Sequence, residues 1–258
     1  KVIPRHCDTS FYRWRELGAR HSCFSAPIER EMKERLFRFR QFSVSHSASA
    51  MKVGTDGVTL GAWASVGVGD TVLDVGAGCG LIGLMAAQRG AAAVTLLEID
   101  PLAAEEAAAN AAASPWGDRT ETICADFTAV DFAGRRFDRI ISNPPFFTNG
   151  ALAPGAARAL ARHESSLTLE SLTGRAAPLL APGGTLSVII PADSAERAIF
   201  AAGIAGLCCL RRTELFTRQG APPRRVLLEF SASGGPCVHS DLIVGSDDYK
   251  TITSSFYL

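Results

Sequence analysis

One stretch constrains the fold of this chain more than any other. Asp74-Val-Gly76-Ala-Gly78-Cys-Gly80 follows a β-rich run and opens an apolar helical segment. Glycines let a backbone turn sharply and approach a ligand without Cβ clashes. A strand feeding such a turn and then a helix is the first unit of a doubly wound sheet, in which ligands bind outside the carboxyl ends of the strands. The chain beyond it keeps the alternation. Strands are expected at 71–75, 94–99, 120–125, 137–142 and 185–190. Helices are expected at 81–89, 102–113 and 194–206, and at 166–180, where Pro182-Gly183-Gly184 closes the helix. Two last strands, 210–217 and 225–230, are expected as a closing antiparallel pair. Strands alternating with helices imply a largely parallel sheet covered on both faces. The expected fold is therefore α/β and doubly wound, with a mostly parallel, seven-stranded sheet and a C-terminal antiparallel strand pair.

Bulk composition narrows the function classes. With 258 residues, 47% of them hydrophobic and a mean hydropathy of +0.14, the chain can bury a sizeable core and does not resemble a disordered one. Twenty-six basic and 26 acidic residues cancel. A nucleic-acid binder normally leaves a basic signature, so any such site must be a local patch. The seven cysteines are odd in number and form no CxxC pair, which points to free, buried thiols in a reducing compartment and to no metal site. No apolar run reaches the about 18 residues of a membrane span, and the first 30 residues lack a signal-peptide core. A cytoplasmic protein without membrane contact is expected. Residues 1–30 hold six bases and three acids and show no sustained period. Residues 1–31 are expected to be a flexible N-terminal extension, preceding one domain over 32–258.

The glycine stretch has two readings. Gly78-Cys-Gly80-Leu-Ile-Gly83 is literally GxGxxG, the dinucleotide fingerprint, which would make the chain an NAD-linked oxidoreductase. Two details favour another ligand. The glycines begin earlier, at Gly76, and Asp74 stands behind them at the strand end. A loop that points its N–H groups at a pyrophosphate has no use for a nearby carboxylate. Asp74, Gly76, Gly78 and Gly80 instead resemble the DxGxGxG motif of class I methyltransferases. That resemblance implies a Rossmann-like methyltransferase sheet, with S-adenosyl-L-methionine as cofactor and the acid helping to place its cationic part. Glu98 ends the next strand, where a carboxylate can accept from both ribose hydroxyls. Asp126-Phe127 follows the third strand. In the resembled class an acid there accepts from the adenine amine of the cofactor, with the aromatic neighbour against the ring.

Asn143-Pro144-Pro145-Phe146 ends the fourth strand and carries the candidate catalytic residues. An exocyclic amine on a base is a poor nucleophile, because its lone pair is delocalised into the ring. The Asn143 side-chain oxygen and the Pro144 carbonyl could bind both amine hydrogens and turn the lone pair toward a methyl group. Prolines fix φ and supply no competing N–H. Phe146 can stack on the base face, as in enzymes that act on extruded bases. A glutamine amide is also a planar amine and would satisfy the same loop.

Several further blocks carry a closer resemblance. They are Phe39-Arg-Gln-Phe42, Ala50-Met-Lys-Val-Gly-Thr-Asp-Gly57, Leu60-Gly-Ala-Trp63, Ser114-Pro-Trp116 with Asp118-Arg119, Ile141-Ser-Asn-Pro-Pro-Phe146, Arg225-Val-Leu-Leu228, and the closing Tyr249 and Phe256-Tyr257-Leu258. Over residues 36–258 the chain is similar to the bacterial tRNA(Val) adenine-N6 methyltransferases, which modify the adenine just 3′ of the anticodon. The MKVGTDG and SPWxDR blocks single out this family; the glycine loop and NPPF are shared by many methyltransferases. By resemblance alone, Lys52, Thr55 and Asp56 contact the cofactor. The partner implied is the anticodon stem-loop of a tRNA, and a monomer is expected. Candidate phosphate contacts come from Lys33, Arg35, Arg38 and Arg40, from Arg158 and Arg162 with His163 beside them, and from Arg211, Arg212, Arg218, Arg224 and Arg225. Arg38, Arg40, Arg158 and Arg162 are the principal substrate-binding candidates. The alternative within the fold is a protein glutamine N5-methyltransferase.

Overall fold

The computed structural model of the chain describes residues 36–49, 52–145 and 167–257. The expected extension over 1–31 lies outside them. A hairpin of β1 (Leu36–Arg38) and β2 (Ser43–Ser45) precedes helix α1 (Thr55–Trp63). Then come β3 (Thr71–Val75), α2 (Leu81–Gln88), β4 (Ala93–Glu98), α3 (Pro101–Ala113), β5 (Thr120–Cys124) and β6 (Phe137–Ser142). The second half comprises α4 (Leu169–Ala176), β7 (Leu180–Pro191), α5 (Ala195–Ile204), β8 (Cys208–Phe216), β9 (Arg225–Ser231), β10 (Val238–Ile243) and α6 (Asp247–Thr253).

The main sheet runs β10-β8-β9-β7-β6-β3-β4-β5. Strands β5, β4, β3, β6 and β7 are mutually parallel, while β9 lies antiparallel to both β7 and β8. All seven expected strands and the antiparallel pair are present. An eighth, β10, pairs in parallel with β8 at the edge. Its first four residues are exposed, so no alternation of apolar and polar positions marks it in the sequence. Helix α1 also escapes pattern reading, because Gly57, Gly61 and three β-branched residues give TDGVTLGAW weak helix propensity. Tertiary packing forms it instead. A Cβ at Gly61 would stand 2.6 Å from Met85 Sδ, so the glycine lets α1 approach α2 closely.

One expectation needs correction. The helix expected over 166–180 ends at Ala176, followed by one 3₁₀ turn, and Pro182-Gly183-Gly184 lies inside β7 instead of closing the helix. There the register with β6 shifts, from Phe137 opposite Leu180 to Arg139 opposite Thr185. Gly183 has φ +76°, and a Cβ at Gly184 would meet the Ala181 carbonyl at 2.9 Å and that of Phe137 at 3.0 Å. A tight bulge uses the glycines that a helix stop would also use.

Period-two alternation divides the strand residues between two cores. Val72, Val94, Leu96 and Ile189 pack on one face, with residues of α1, α2, α3 and α6. Leu73, Val75, Leu97, Leu186, Val188 and Ile190 pack on the other, with Leu172 and Ala176 of α4 and Ala195, Ala198 and Ala202 of α5. Among the described residues no helix is long and apolar enough to cross a membrane, and no group of three metal-ligating side chains is found. The five described cysteines are free, but only Cys79 is buried; Cys124 and Cys208 sit at strand ends and are exposed.

Candidate active site

Strand β3 lies between β4 and β6. The chain proceeds from β3 outward to β4 and β5, then returns to the other side of β3 as β6, which makes the β3–β6 boundary the topological switch point. Val75, the last residue of β3, pairs with Ser142, the last of β6, and Ser142 Oγ donates to the Val75 carbonyl at 2.9 Å. Gly76 and Asn143 therefore leave neighbouring strands at the same level. The glycine loop and the Asn-Pro-Pro turn, far apart in sequence, open onto one crevice. Asn143 is half-buried, Pro144 buried and Pro145 exposed. Phe146 lies outside the described residues.

Each loop glycine occupies the left-handed region, with φ of +71° at Gly76, +54° at Gly78 and +82° at Gly80. The Gly76 and Ala77 N–H groups donate to the Leu97 carbonyl at 2.9 and 3.0 Å, folding the loop back on β4. A Cβ at Gly76 would meet nothing within 4 Å, so that side of the loop is open. Gly83 has another duty. A Cβ there would come within 2.2 Å of Leu96 Cδ2, so this glycine lets α2 settle on β4. The literal dinucleotide spacing thus includes a glycine needed for helix-to-sheet packing.

Asp74 is fully buried beneath the loop. Its Oδ2 accepts from the Gly83 N–H at 2.8 Å, while Oδ1 has no hydrogen-bond partner among the described residues. Burial raises its pKa to about 7; the charge of Glu98 adds to the rise and the Gly83 hydrogen bond opposes it. A buried carboxyl with an orphaned oxygen suits a cationic ligand. Glu98 is better supplied. Its Oε2 accepts from the Gly78 N–H at 2.8 Å, and its Oε1 from Ile99 and Asp100 at 2.9 and 3.0 Å. Those bonds hold the carboxylate rigidly and use three of its about four lone-pair sites. Asp126 follows β5, and its Oδ1 accepts from the Thr128 N–H and hydroxyl, both at 2.8 Å. Phe127 is 4% exposed and packs in the core with Val130 and Phe132, leaving little ring face for a ligand.

Of the residues carried over from MKVGTDG, Lys52 is exposed and Thr55 begins α1. Gly57, in the first turn, stands next to Leu81, where α2 begins beside the loop. Asp56 accepts from Arg225 Nε at 2.8 Å at the start of β9. That pairing takes Arg225 out of the pool of free cations. Arg211 is likewise committed, lying 4.0 Å above the Trp63 ring and bridging to Glu229, and Arg212 lies between Glu196 and Glu214. Arg38 is exposed on β1, whereas Arg40 Nε donates to the Tyr257 carbonyl at 2.5 Å. Arg218 and Arg224 are exposed on the β8–β9 connection, at the same sheet edge as the glycine loop. Arg158, Arg162 and His163 fall outside the described residues.

Two residues of this region escaped the sequence reading. Glu106 and Asn110 interrupt the alanines of α3 four positions apart, and both are buried. Polar side chains on one face of an otherwise alanine helix were the available signal.

A buried acid, an open glycine loop and an Asn-Pro-Pro turn at the paired carboxyl ends of β3 and β6 accord with a methyltransferase of the doubly wound class. Residues 64–202 match the family described as methyltransferase small domain. A protein of Phocaeicola vulgatus named tRNA1(Val) (adenine(37)-N6)-methyltransferase is 46% identical, over 86% of this chain and 97% of its own length. A protein of the same name from Cronobacter sakazakii is 42% identical, over 86% and 94%. The chain belongs to this methyltransferase family. Among solved structures, a predicted O-methyltransferase of Agrobacterium tumefaciens superposes with a TM-score of 0.60 at 24% identity, covering 78% of this chain and 96% of its own. The glycopeptide N-methyltransferase MtfA complexed with S-adenosyl-L-methionine gives 0.53 at 17%, over 72% and 91%; both likenesses concern the fold.

Proposed function

We propose that this chain transfers a methyl group from S-adenosyl-L-methionine to the N6 amine of an adenine in the anticodon loop of tRNA(Val). The observation that carries the chemistry is the paired exit of Gly76 and Asn143 from β3 and β6 at one level, through the Val75–Ser142 register. A donor held by the glycine loop and an amine held by Asn143 would then meet across two adjacent strands. The substrate rests on the relatives, which share 46% and 42% of the sequence and are named for adenine-37 of tRNA1(Val). Among the described residues no feature of the site favours a glutamine amide.

S-adenosyl-L-methionine, when bound, supplies an electrophilic methyl group on a positive sulfur. Asp74 would face the cationic end, Glu98 would accept from a ribose hydroxyl through its remaining lone-pair site, and Asp126 would accept from the adenine amine of the cofactor. Lys52, Thr55 and Asp56 border the same pocket. The Asn143 side-chain oxygen and the Pro144 carbonyl take the two hydrogens of the target amine, turning its lone pair out of conjugation. Phe146 stacks on the target base. Transfer needs chiefly in-line positioning and a matched electrostatic site, and the proton leaves afterwards. Arg38, Arg158, Arg162, Arg218 and Arg224 supply phosphate contacts, and the protein works as a monomer in the cytoplasm.

Labelled cofactor, incubated separately with total tRNA, duplex DNA and a peptide-release factor, tests the reading after digestion of each product. N6-methyladenosine from tRNA is expected. Methylglutamine from the release factor, or no label in any pool, would overturn it.

A further inference from the structure

The segment that follows β2 and precedes the MKVGTDG block, residues 45–49, has little apolar surface to bury: Ser47 and Ala48 are exposed, while Ser49 is 8% exposed. Its order comes from α3. Glu106 Oε1 accepts from Ser45 Oγ at 3.1 Å, Ser47 N at 2.6 Å, Ser47 Oγ at 2.9 Å and Ala48 N at 3.1 Å. Its Oε2 accepts from Ser49 N at 3.0 Å. Three successive backbone N–H groups therefore close on one carboxylate, a nest built around a side chain of the protein itself. One turn further along α3, Asn110 Oδ1 accepts from Ser45 N at 2.9 Å. Asn110 Nδ2 donates to the carbonyls of Ser45 and of Cys79, both at 2.8 Å. Cys79 belongs to the glycine loop. At the far end of the segment Ser49 rests on that loop, where a Cβ at Gly78 would stand 2.9 Å from Ser49 Oγ. Helix α3 is itself capped by Asp100, two residues beyond Glu98.

One helix therefore sets three parts of the pocket relative to one another: the glycine loop, the end of β4 with Glu98, and the segment lying over Gly78. Burial works against a charged Glu106, yet the hydrogen bonds from Ala48, Ser49 and Ser47 outweigh it and hold its carboxyl below the usual range. Burying an ion to hold a short polar segment adds little to the core, because apolar packing would join α3 to the hairpin at less cost. What the arrangement supplies is a fixed strap beside the open loop.

We propose that Glu106 and Asn110 are positioning residues that hold 45–49 as a preorganised strap over the glycine loop, and that this strap sets the affinity for the cofactor. Rigid binding elements raise affinity by removing the ordering cost at the moment of binding. The inference rests on the reading that the pocket takes S-adenosyl-L-methionine. Glu106→Gln is the informative variant, because it keeps an acceptor for Ser45, Ser47 and Ala48 and turns an NH₂ group toward the Ser49 N–H. Glu106→Ala removes the whole nest.

Hydrogen exchange of the free protein and calorimetric titration with S-adenosyl-L-methionine, on wild type and both variants, test it. Amides 47–49 are expected to exchange on the order of tenfold faster or more in Glu106→Ala, and the Kd to rise on the order of tenfold at unchanged stoichiometry. In Glu106→Gln the acceleration should concentrate at Ser49, with a smaller rise in Kd. Unchanged exchange at 47–49, or fast exchange with an unchanged Kd, overturns the inference. So does a loss of binding-competent protein at constant Kd, which is what a purely structural role predicts. Failure of the wild type to bind the cofactor would instead sink the pocket reading, while the exchange data still judge the strap.

Discussion

In the proposed reaction Asn143 and Asp74 divide the work at the crevice, and each has its own expected signature. Asn143 is expected to act on the amine and not on the cofactor. Asn143→Ala should lower kcat by at least about a hundredfold, the scale of a lost transition-state hydrogen-bond partner, while the cofactor Kd stays within about twofold. Steady-state rates with tRNA and calorimetry separate the two; a parallel loss of both would make Asn143 a structural residue. Asp74 predicts a pH dependence. Its folded pKa, about 7, lies above the ordinary 3.8, so the protonated carboxyl favours the free fold in acid. That contribution is lost as pH rises from the unfolded value through about 7. Cofactor binding runs the other way, because a cationic ligand selects the ionised acid. Affinity should therefore weaken as pH falls below about 7, by up to about tenfold per unit, and Asp74→Asn should flatten the profile at a weaker level. A wild-type affinity independent of pH between 6 and 8, roughly one unit either side of that pKa, would remove Asp74 from the cationic site.

At the scale of elements, the strand-loop-helix unit β3–α2 was legible because its signals are local: a β-rich run, glycines at positive φ, then an apolar helix. The bounds 71–75 and 137–142 coincide with β3 and β6. The same locality misled where one signal has two uses, as with Pro182-Gly183-Gly184, which forms a bulge in β7 and not a helix stop. Gly83 completes the literal GxGxxG spacing, and its absent side chain serves α2–β4 packing, the use the third glycine of that spacing commonly has. Gly83→Ala should thus overpack the Leu96 and Val94 side chains, which its Cβ would meet at 2.2 and 3.0 Å. Such overpacking costs about 1–3 kcal/mol, a fall in Tm of roughly 2–4 °C for each kcal/mol in a chain near this size. A Tm equal to wild type in a thermal melt would show that α2 moves freely on the sheet.

For the whole molecule, the two cores meet across one sheet, and all described parts of the pocket attach to its carboxyl edge. The Phocaeicola relative is matched over 97% of its length by 86% of this chain, so part of this chain has no counterpart there. Removal of residues 1–31 is accordingly expected to leave both Tm and cofactor Kd at their full-length values. A drop in either, measured on the truncated protein, would assign that segment to the folded domain.

The sequence by itself determined the doubly wound order, the acid-backed glycine loop, the Asn-Pro-Pro turn and the family, because each is written in residues adjacent along the chain. Only the tertiary structure decided that Gly76 and Asn143 exit at one level, that Asp74 Oδ1 finds no partner among the described residues, and that Arg211, Arg212 and Arg225 are committed to Glu229, Glu196 and Asp56. It also brought Glu106 and Asn110 to residues 45–49, about 60 positions away, through hydrogen bonds that no local pattern encodes. Register, burial and side-chain pairing depend on what the fold brings opposite each residue. That information lies between segments, not within them.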